Sequence, residues 1–354
     1  MTNRIHHWIT RVLNRLPPEF AHRCAINGLR YTPRLLTRSL PTDLTEGMSQ
    51  QLMGMHFSHP IGLAAGFDKD AQAVDSLAAL GFSFVEAGAV TPLPQPGNPK
   101  PRLFRFTQQQ SLINQYGFNS RGLDYVATNL AQARRDTPIG INIGKNKHSD
   151  DPLHDYVTCA SRLMERVDFI TLNFSSPNTP GLRSLVDEKH LRPVLAAIQS
   201  IRRESSTPAR VWFKLSPDME HSAVRDLMAL LIEYQVEGIV VSNTTTQRES
   251  IDHPQARSLA GGLSGLALKK LSEQMLERVY PLAQGKLTII ASGGLFTGQD
   301  IYDRIIRGAD LVQILTSFVY HGPGIIYTML RQLRDIMEKQ GIHHLPSIKG
   351  SYYE

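Results

Sequence analysis

Eight short apolar runs rich in β-branched residues, separated by longer and mostly helix-like segments, constrain this chain more than any other feature. They cover residues 61–65, 82–87, 138–142, 168–173, 210–215, 237–242, 287–291 and 310–315. Strands alternating with crossover segments build a parallel sheet. Eight of them predict an α/β fold closed as a (β/α)8 barrel, a doubly wound sheet being the other arrangement that reaches this count. The 354 residues fit one such domain, and 41% apolar with 20% charged residues is ordinary for a globular core. No stretch approaches the roughly 18–20 uncharged apolar residues of a membrane span. We assign residues 41–354 to the barrel and 1–40 to a helical extension.

The extension holds the charge asymmetry. Arg4, Arg11, Arg15, Arg23, Arg30, Arg34 and Arg38 stand against Glu19 alone, which accounts for the whole net charge of +6 and leaves the body near neutral. Ile5, Trp8, Ile9, Val12, Leu13 and Leu16 fall on one helical stripe over residues 4–16, with Arg4, Arg11 and Arg15 off it. Pro17-Pro18 ends that helix, and a shorter one is predicted from about Glu19 to about Arg30. A basic arm on a neutral body suits an anionic surface. The sequence has no nucleic-acid motif and few aromatics to stack on bases. A membrane surface is therefore the favoured partner, met by an interfacial helical hairpin. The plainer reading is two helices packed on the body. An arginine-rich start also fits a transit peptide, but no room remains for one plus an anchor ahead of the second helix. Cys24 and Cys159 make neither a disulfide framework nor a metal ligand set. Both are expected buried, in a reducing compartment.

In barrels of this kind the active site lies at the C-terminal ends of the strands. Here those ends are polar. AGFDK (65–69) follows the first run, INIGKN (141–146) the third, LNFSSPNTPG (172–181) the fourth and SNTT (242–245) the sixth. Any one buried asparagine ordinarily just satisfies a backbone group. Asn142, Asn173, Asn178 and Asn243 together point to a flat heterocycle that both donates and accepts, a flavin or a pyrimidine. Lys214 lies inside the apolar run WFKL; a snorkelling lysine is the plain alternative to a fixed charge beside a flavin. Gly293-Gly294 after the seventh run, with Thr316 and Ser317 after the eighth, suit a phosphate, although a lone Gly-Gly also makes a tight turn. No G-x-G-x-x-G follows a strand, so a nicotinamide dinucleotide site is not indicated. Segments 88–137 and 252–265 exceed simple crossovers and are expected to be functional loops.

At these residues the chain resembles the membrane-associated, quinone-using class of dihydroorotate dehydrogenases. The resemblance rests on GLAAGFDKD (62–70), TPLPQPGNPKPRLFR (91–105), INIGKN (141–146), NFSSPNTPGLR (173–183), SNTT (242–245) and GGLSG (261–265), with LPPEFAHR (16–23) matching the family's N-terminal hairpin. It implies oxidation of (S)-dihydroorotate to orotate in pyrimidine biosynthesis, with FMN as cofactor and a quinone as final acceptor. It implies Ser176 as catalytic base, helped by Thr179 and shielded by Phe118. Cysteine at that position would mark the soluble class. Substrate contacts would fall on Lys69, Asn114, Gln115, Tyr116, Gly117, Phe118, Asn173, Asn178, Asn243 and Thr244. Flavin contacts would fall on Ala65, Gly66, Phe67, Asp68, Lys69, Ala89, Asn142, Asn173, Lys214, Ser242, Gly265, Gly294, Leu315 and Thr316. His22 and Arg105 would line a quinone tunnel. Ala89 stands where the family usually has threonine, and Leu315 where tyrosine is common. No metal or nucleic acid is implied, a monomer is favoured, and the expected place is the cytoplasmic face of a bacterial inner membrane. The rivals are a soluble-acceptor FMN oxidoreductase and a non-catalytic membrane-bound barrel.

Overall fold

The computed structural model describes residues 10–31 and 40–354. Of the predicted stripe on residues 4–16, Ile5, Trp8 and Ile9 lie outside the described residues. A hairpin of β1 (Gln50–Leu52) and β2 (Met55–Phe57) precedes the barrel. The barrel strands are β3 (Ile61–Leu63), β4 (Phe84–Val90), β7 (Ile139–Ile143), β8 (Phe169–Leu172), β9 (Arg210–Lys214), β10 (Gly238–Val241), β12 (Thr288–Ser292) and β13 (Leu311–Ile314). All eight pair in parallel, and β13 closes on β3 through Val312 opposite Ile61. The sheet is therefore the closed barrel and not the doubly wound alternative. Each predicted run supplies one strand, with ends displaced by at most three residues.

Helices follow the strands and cover the barrel. Their starts are written in the sequence. Thr297 accepts from the Asp300 N–H, and Asp300 accepts from the Thr297 N–H, a capping box that opens Gly298–Ile306. Asp151 accepts from the His154 N–H ahead of Pro152, opening Pro152–Leu163. The helix Glu188–Glu204 turns Leu191, Val194, Leu195 and Ile198 inward at helical spacing.

Two features were not foreseen from the sequence. The first is β1–β2, which brings Phe57 under the barrel floor. There Phe57, Phe84, Phe169, Trp212, Val240, Ile290 and Leu311 form a closed apolar cluster, with Phe169 stacked on Trp212 at 3.8 Å between centroids. Gly140 makes room for it: a Cβ there would lie 1.9 Å from the Phe169 ring. The second is a three-stranded antiparallel sheet at the other end. It joins β5 (Leu103–Phe106) and β6 (Ser111–Asn114), from the first long segment, to β11 (Gly262–Gly265) from the second. Cys159 is buried as expected, but Cys24 is exposed, because its helix buries Ala21 and Ile26 on another face.

His59 ties the entry of β3. Its Nδ1 accepts from the Ile61 N–H at 3.2 Å, and its Nε2 donates to the Gly81 carbonyl at 2.9 Å. A second ring proton would meet another donor, and burial pushes the pKa down from 6.5 to about 4. A histidine with a depressed pKa contributes its stability above its unfolded pKa and loses it as pH falls through the folded value. Between pH 7 and 4 this residue should remove about 3 kcal/mol of stability. Urea melts across that range should show a shallower slope for His59→Gln.

Candidate active site

The C-terminal strand ends surround a cavity of about 460 Å³. The β5–β6–β11 sheet contributes Leu103, Leu112 and Ser264 to its wall, and the helix Pro18–Tyr31 contributes Ala21, His22 and Cys24. The cavity therefore runs from the barrel axis to the N-terminal helix.

Along its floor side chains form a directional relay. Asn142 Nδ2 donates to Glu86 Oε1 at 2.8 Å. Asn173 Nδ2 donates to Asn142 Oδ1 at 2.8 Å, and Asn243 Nδ2 to Asn173 Oδ1 at 3.3 Å. The Thr244 N–H then donates to Asn243 Oδ1 at 2.7 Å. Ser175 Oγ sits between the last two amides, accepting from Asn243 at 2.8 Å and donating to Asn173 at 3.0 Å. Beside the relay, Asn178 Nδ2 donates to Asn114 Oδ1 at 3.0 Å, which joins the loop after β8 to β6. Four strand ends are thus held in one network, with a separate bond from the loop after β8 to the roof.

Two lysines enter the cavity without a hydrogen bond among the described residues. Lys214 is 6% exposed; burial pushes its pKa down, and the Glu86 charge acts against that. The Lys69 ammonium lies 3.8 Å from the centroid of the Tyr116 ring. Burial pushes its pKa down to about 8, Asp70 and Glu19 opposing and Arg102 assisting. Ser176 is buried, and its Oγ accepts from the Asn178 N–H at 3.3 Å. Phe118 holds a left-handed backbone (φ 53°) next to Gly117 (φ 66°), a conformation costly for a side chain and retained mostly at functional sites.

The N-terminal helix is fastened to this machinery twice. His22 Nε2 donates to the Phe67 carbonyl at 2.5 Å; burial, assisted by the Lys69 charge, pushes its pKa down to about 4 against that hydrogen bond, so the neutral ring is favoured near pH 7. Glu19 accepts from Arg102 Nη2 at 2.7 Å and Nε at 3.3 Å. Arg102 in turn lies 5.2 Å from the Tyr116 centroid, in the same ring contact as Lys69. Arg105 donates to the carbonyls of Asn14 and Leu16, each at 2.5 Å, closing the helical turn before Pro17.

Nearly all residues singled out in the sequence line this one cavity, including Ser176, Lys69, Lys214, the four asparagines, Ala89, Leu315, His22 and Arg105. Two do not. Asp68 points away and caps the N–H groups of Gln72 and Ala73 at 2.9 and 2.7 Å. Gln115 also points away, donating to the Ala260 carbonyl at 2.9 Å. Asp68 lies in a turn, and Gln115 follows Asn114 in extended chain where successive side chains alternate, so each points away from its functional neighbour. Sequence reasoning missed Glu86 and Gln313. Their signal was a lone polar residue inside FVEAGAV and LVQIL, as for Lys214. Among the described residues no cluster of three or more His, Cys, Asp or Glu could hold a metal.

A lysine-bearing, amide-lined cavity at the C-terminal mouth of a (β/α)8 barrel has the build of a barrel enzyme's active site. Comparison with known proteins narrows this. The family described as Dihydroorotate dehydrogenase matches residues 47–337. The "Dihydroorotate dehydrogenase (quinone)" of Myxococcus xanthus is 40% identical over 354 residues, covering 96% of each chain. The mitochondrial "Dihydroorotate dehydrogenase (quinone)" of Mus musculus is 40% identical over 345 residues, covering 95% of this chain and 87% of that one. The crystal structure of DHODH from Eimeria tenella in complex with ferulenol aligns with a TM-score of 0.88 at 35% identity, over 95% of this chain and 96% of that one. The chain belongs to the dihydroorotate dehydrogenase family.

Arg102 is 7% exposed and Glu19 20%, so breaking their pair leaves a largely buried charge. Arg102→Met should cost about 2–4 kcal/mol and free the helix Pro18–Tyr31 for cleavage. Limited proteolysis with mass mapping, beside a thermal melt, checks both; unchanged protection would refute the anchor.

Proposed function

We propose that the chain oxidises (S)-dihydroorotate to orotate in pyrimidine biosynthesis, with FMN at the strand ends and a membrane quinone as final acceptor. The observation that carries this is the joining, in one cavity, of the amide relay, two lysines without a hydrogen bond among the described residues and the N-terminal helix. The family and the quinone-specific names of its relatives support it. A soluble acceptor is disfavoured by serine at position 176 and by the N-terminal extension.

The donor set fits a flavin mononucleotide. Among the described residues Lys214 makes no hydrogen bond, and Ser317 Oγ is buried without a partner. The backbone N–H groups of Gly294 and Leu295 likewise find no acceptor among the described residues. They suit a phosphate, with Gly265 and Thr316 beside them, while Ala65, Gly66, Asn142, Asn173, Ser242 and Lys214 suit the ring. Ala89 and Leu315 offer it only backbone and apolar contact. When bound, FMN supplies a two-electron acceptor for the substrate and a donor for the quinone.

The chain's own residues do the rest. Lys69 pairs with the substrate carboxylate as a charge-assisted donor. Asn114, Asn178, Asn243 and Thr244 match the donors and acceptors of the pyrimidine ring edge. Ser176 removes the C5 proton. A serine is a weak base at its free pKa. Its help comes from its burial and from Thr179, whose Oγ1 is buried without a partner among the described residues and could hold a bridging water. The helix Pro18–Tyr31 provides the route for quinone, past His22 and Arg105. Residues 1–40 form the membrane-contact unit: Val12 and Phe20 are exposed at 39% and 47%, with Arg11, Arg15 and Arg23 exposed around them. No helix among the described residues is long and apolar enough to cross a membrane, so contact is peripheral.

Two experiments test this. Ser176→Ala should still bind flavin and orotate, while single-turnover flavin reduction by dihydroorotate slows roughly 10²–10⁴-fold. A rate within a few-fold of the parent would assign proton removal to another group. Deleting residues 1–40 should spare flavin reduction but sharply weaken both reoxidation by long-chain quinone and salt-sensitive binding to anionic vesicles. Normal vesicle binding by the truncated protein would reduce the hairpin to a packing element.

A further inference from the structure

Glu86 has no part in the chemistry above, yet it sits at the centre of the site. It is fully buried at 0% exposure, inside the barrel on β4. A buried carboxylate is costly unless its oxygens are bonded and its charge is met. Here both oxygens are bonded. Oε1 accepts from Asn142 Nδ2 at 2.8 Å and Oε2 accepts from Gln313 Nε2 at 2.6 Å. The opposite charge nearest in the fold is Lys214, which stands in the same buried inward layer, two residues beyond Trp212 as Glu86 is two beyond Phe84, without a direct ion pair between them among the described residues.

We propose that Glu86 is a positioning residue for the oxidation: it fixes which way the Asn142 and Gln313 amides face and, as counter-charge to Lys214, lowers the reduction potential of the bound cofactor. This rests on the reading that Lys214 faces the flavin ring. Reduction adds negative charge to that ring, which Lys214 favours and Glu86 moderates. An amide accepts on one side and donates on the other, whereas a carboxylate accepts on both. Glu86 therefore forces both neighbouring amides to present N–H to it. The relay behind Asn142 inherits that direction as far as Thr244.

The glutamine substitution separates charge from direction. In E86Q one neighbour must turn over to meet the new N–H₂. Turning Asn142 would break the whole relay. Turning Gln313 breaks no hydrogen bond within the protein, because its Oε1 has no partner among the described residues. Gln313 should turn, leaving the relay intact and only the charge removed. The exchange E86Q/Q313E restores the charge one side chain away. The new amide at position 86 then donates to the new carboxylate at position 313 and still accepts from Asn142.

The test is a spectroelectrochemical titration of the flavin in the full-length protein, with orotate affinity read from the flavin spectrum. E86Q should hold flavin and bind orotate within about threefold of the parent. Its reduced-to-oxidised ratio at a fixed potential should rise at least tenfold, about 30 mV for a two-electron couple. The exchange should return most of that shift. A purely structural role would instead weaken orotate binding without a shift that the exchange reverses. If E86Q does not fold, the exchange decides: a potential near that of the parent supports the proposal and a displaced one overturns it. A parent without flavin overturns the proposed function itself, whereas a parent with normal flavin whose potential ignores E86Q overturns the role of Glu86 alone.

Discussion

Inside a closed barrel every inward side chain must find room among those of the other strands, and this steric condition orders the whole molecule. The floor is the layer Phe84, Phe169, Trp212, Val240, Ile290 and Leu311, into which Gly62 and Gly140 fit because a Cβ on either would strike a ring. Successive inward residues of a strand are two apart. Two positions beyond the floor stand Glu86, Thr171, Lys214, Ser242, Ser292 and Gln313, with Asn142 two beyond Gly140. The polar layer is thus placed by the apolar one beneath it. A one-residue slip in any strand would remove its polar group from the interior altogether.

Within that layer geometry alone leaves an ambiguity, since an amide side chain fits equally well either way round. Chemistry removes it. Glu86 can only accept, so the relay runs in one direction from Thr244 back to the barrel axis. The site is preorganised by hydrogen-bond polarity as much as by packing. The same economy appears outside the barrel. Tyr116 lies against two cations, Lys69 and Arg102, and Arg102 is also the anchor for Glu19 of the N-terminal helix.

The sequence disclosed the barrel because each strand is a local apolar run, and it disclosed the asparagines and lysines because they interrupt those runs. It hid what depends on distant pairing. Leu112 lies opposite Ser264, so the roof sheet joins segments that share no local signal. The hairpin β1–β2 is too short to stand out by pattern. Asp68 and Gln115 stand next to Lys69 and Asn114 in sequence, but a turn at the first and strand alternation at the second send neighbouring side chains apart. Glu86 and Gln313 carry the same local signal as Lys214, a lone polar residue inside an apolar run, but no motif marks them and their bond to each other joins distant strands. Cys24 shows that composition alone does not say which face of a helix a residue occupies.

The closing seam of the barrel carries one further consequence, for the order in which the chain becomes a protein. β3 is hydrogen-bonded on one side to β4 and on the other to β13, some two hundred and fifty residues later. During synthesis the first strand waits with a bare edge until the last one emerges, and unpaired edges invite pairing with other chains. Gln313 arrives with that last strand, whereas Glu86 is made near the start. No shorter nascent chain can assemble the polar layer, so the site and the finished barrel come into being in a single late event.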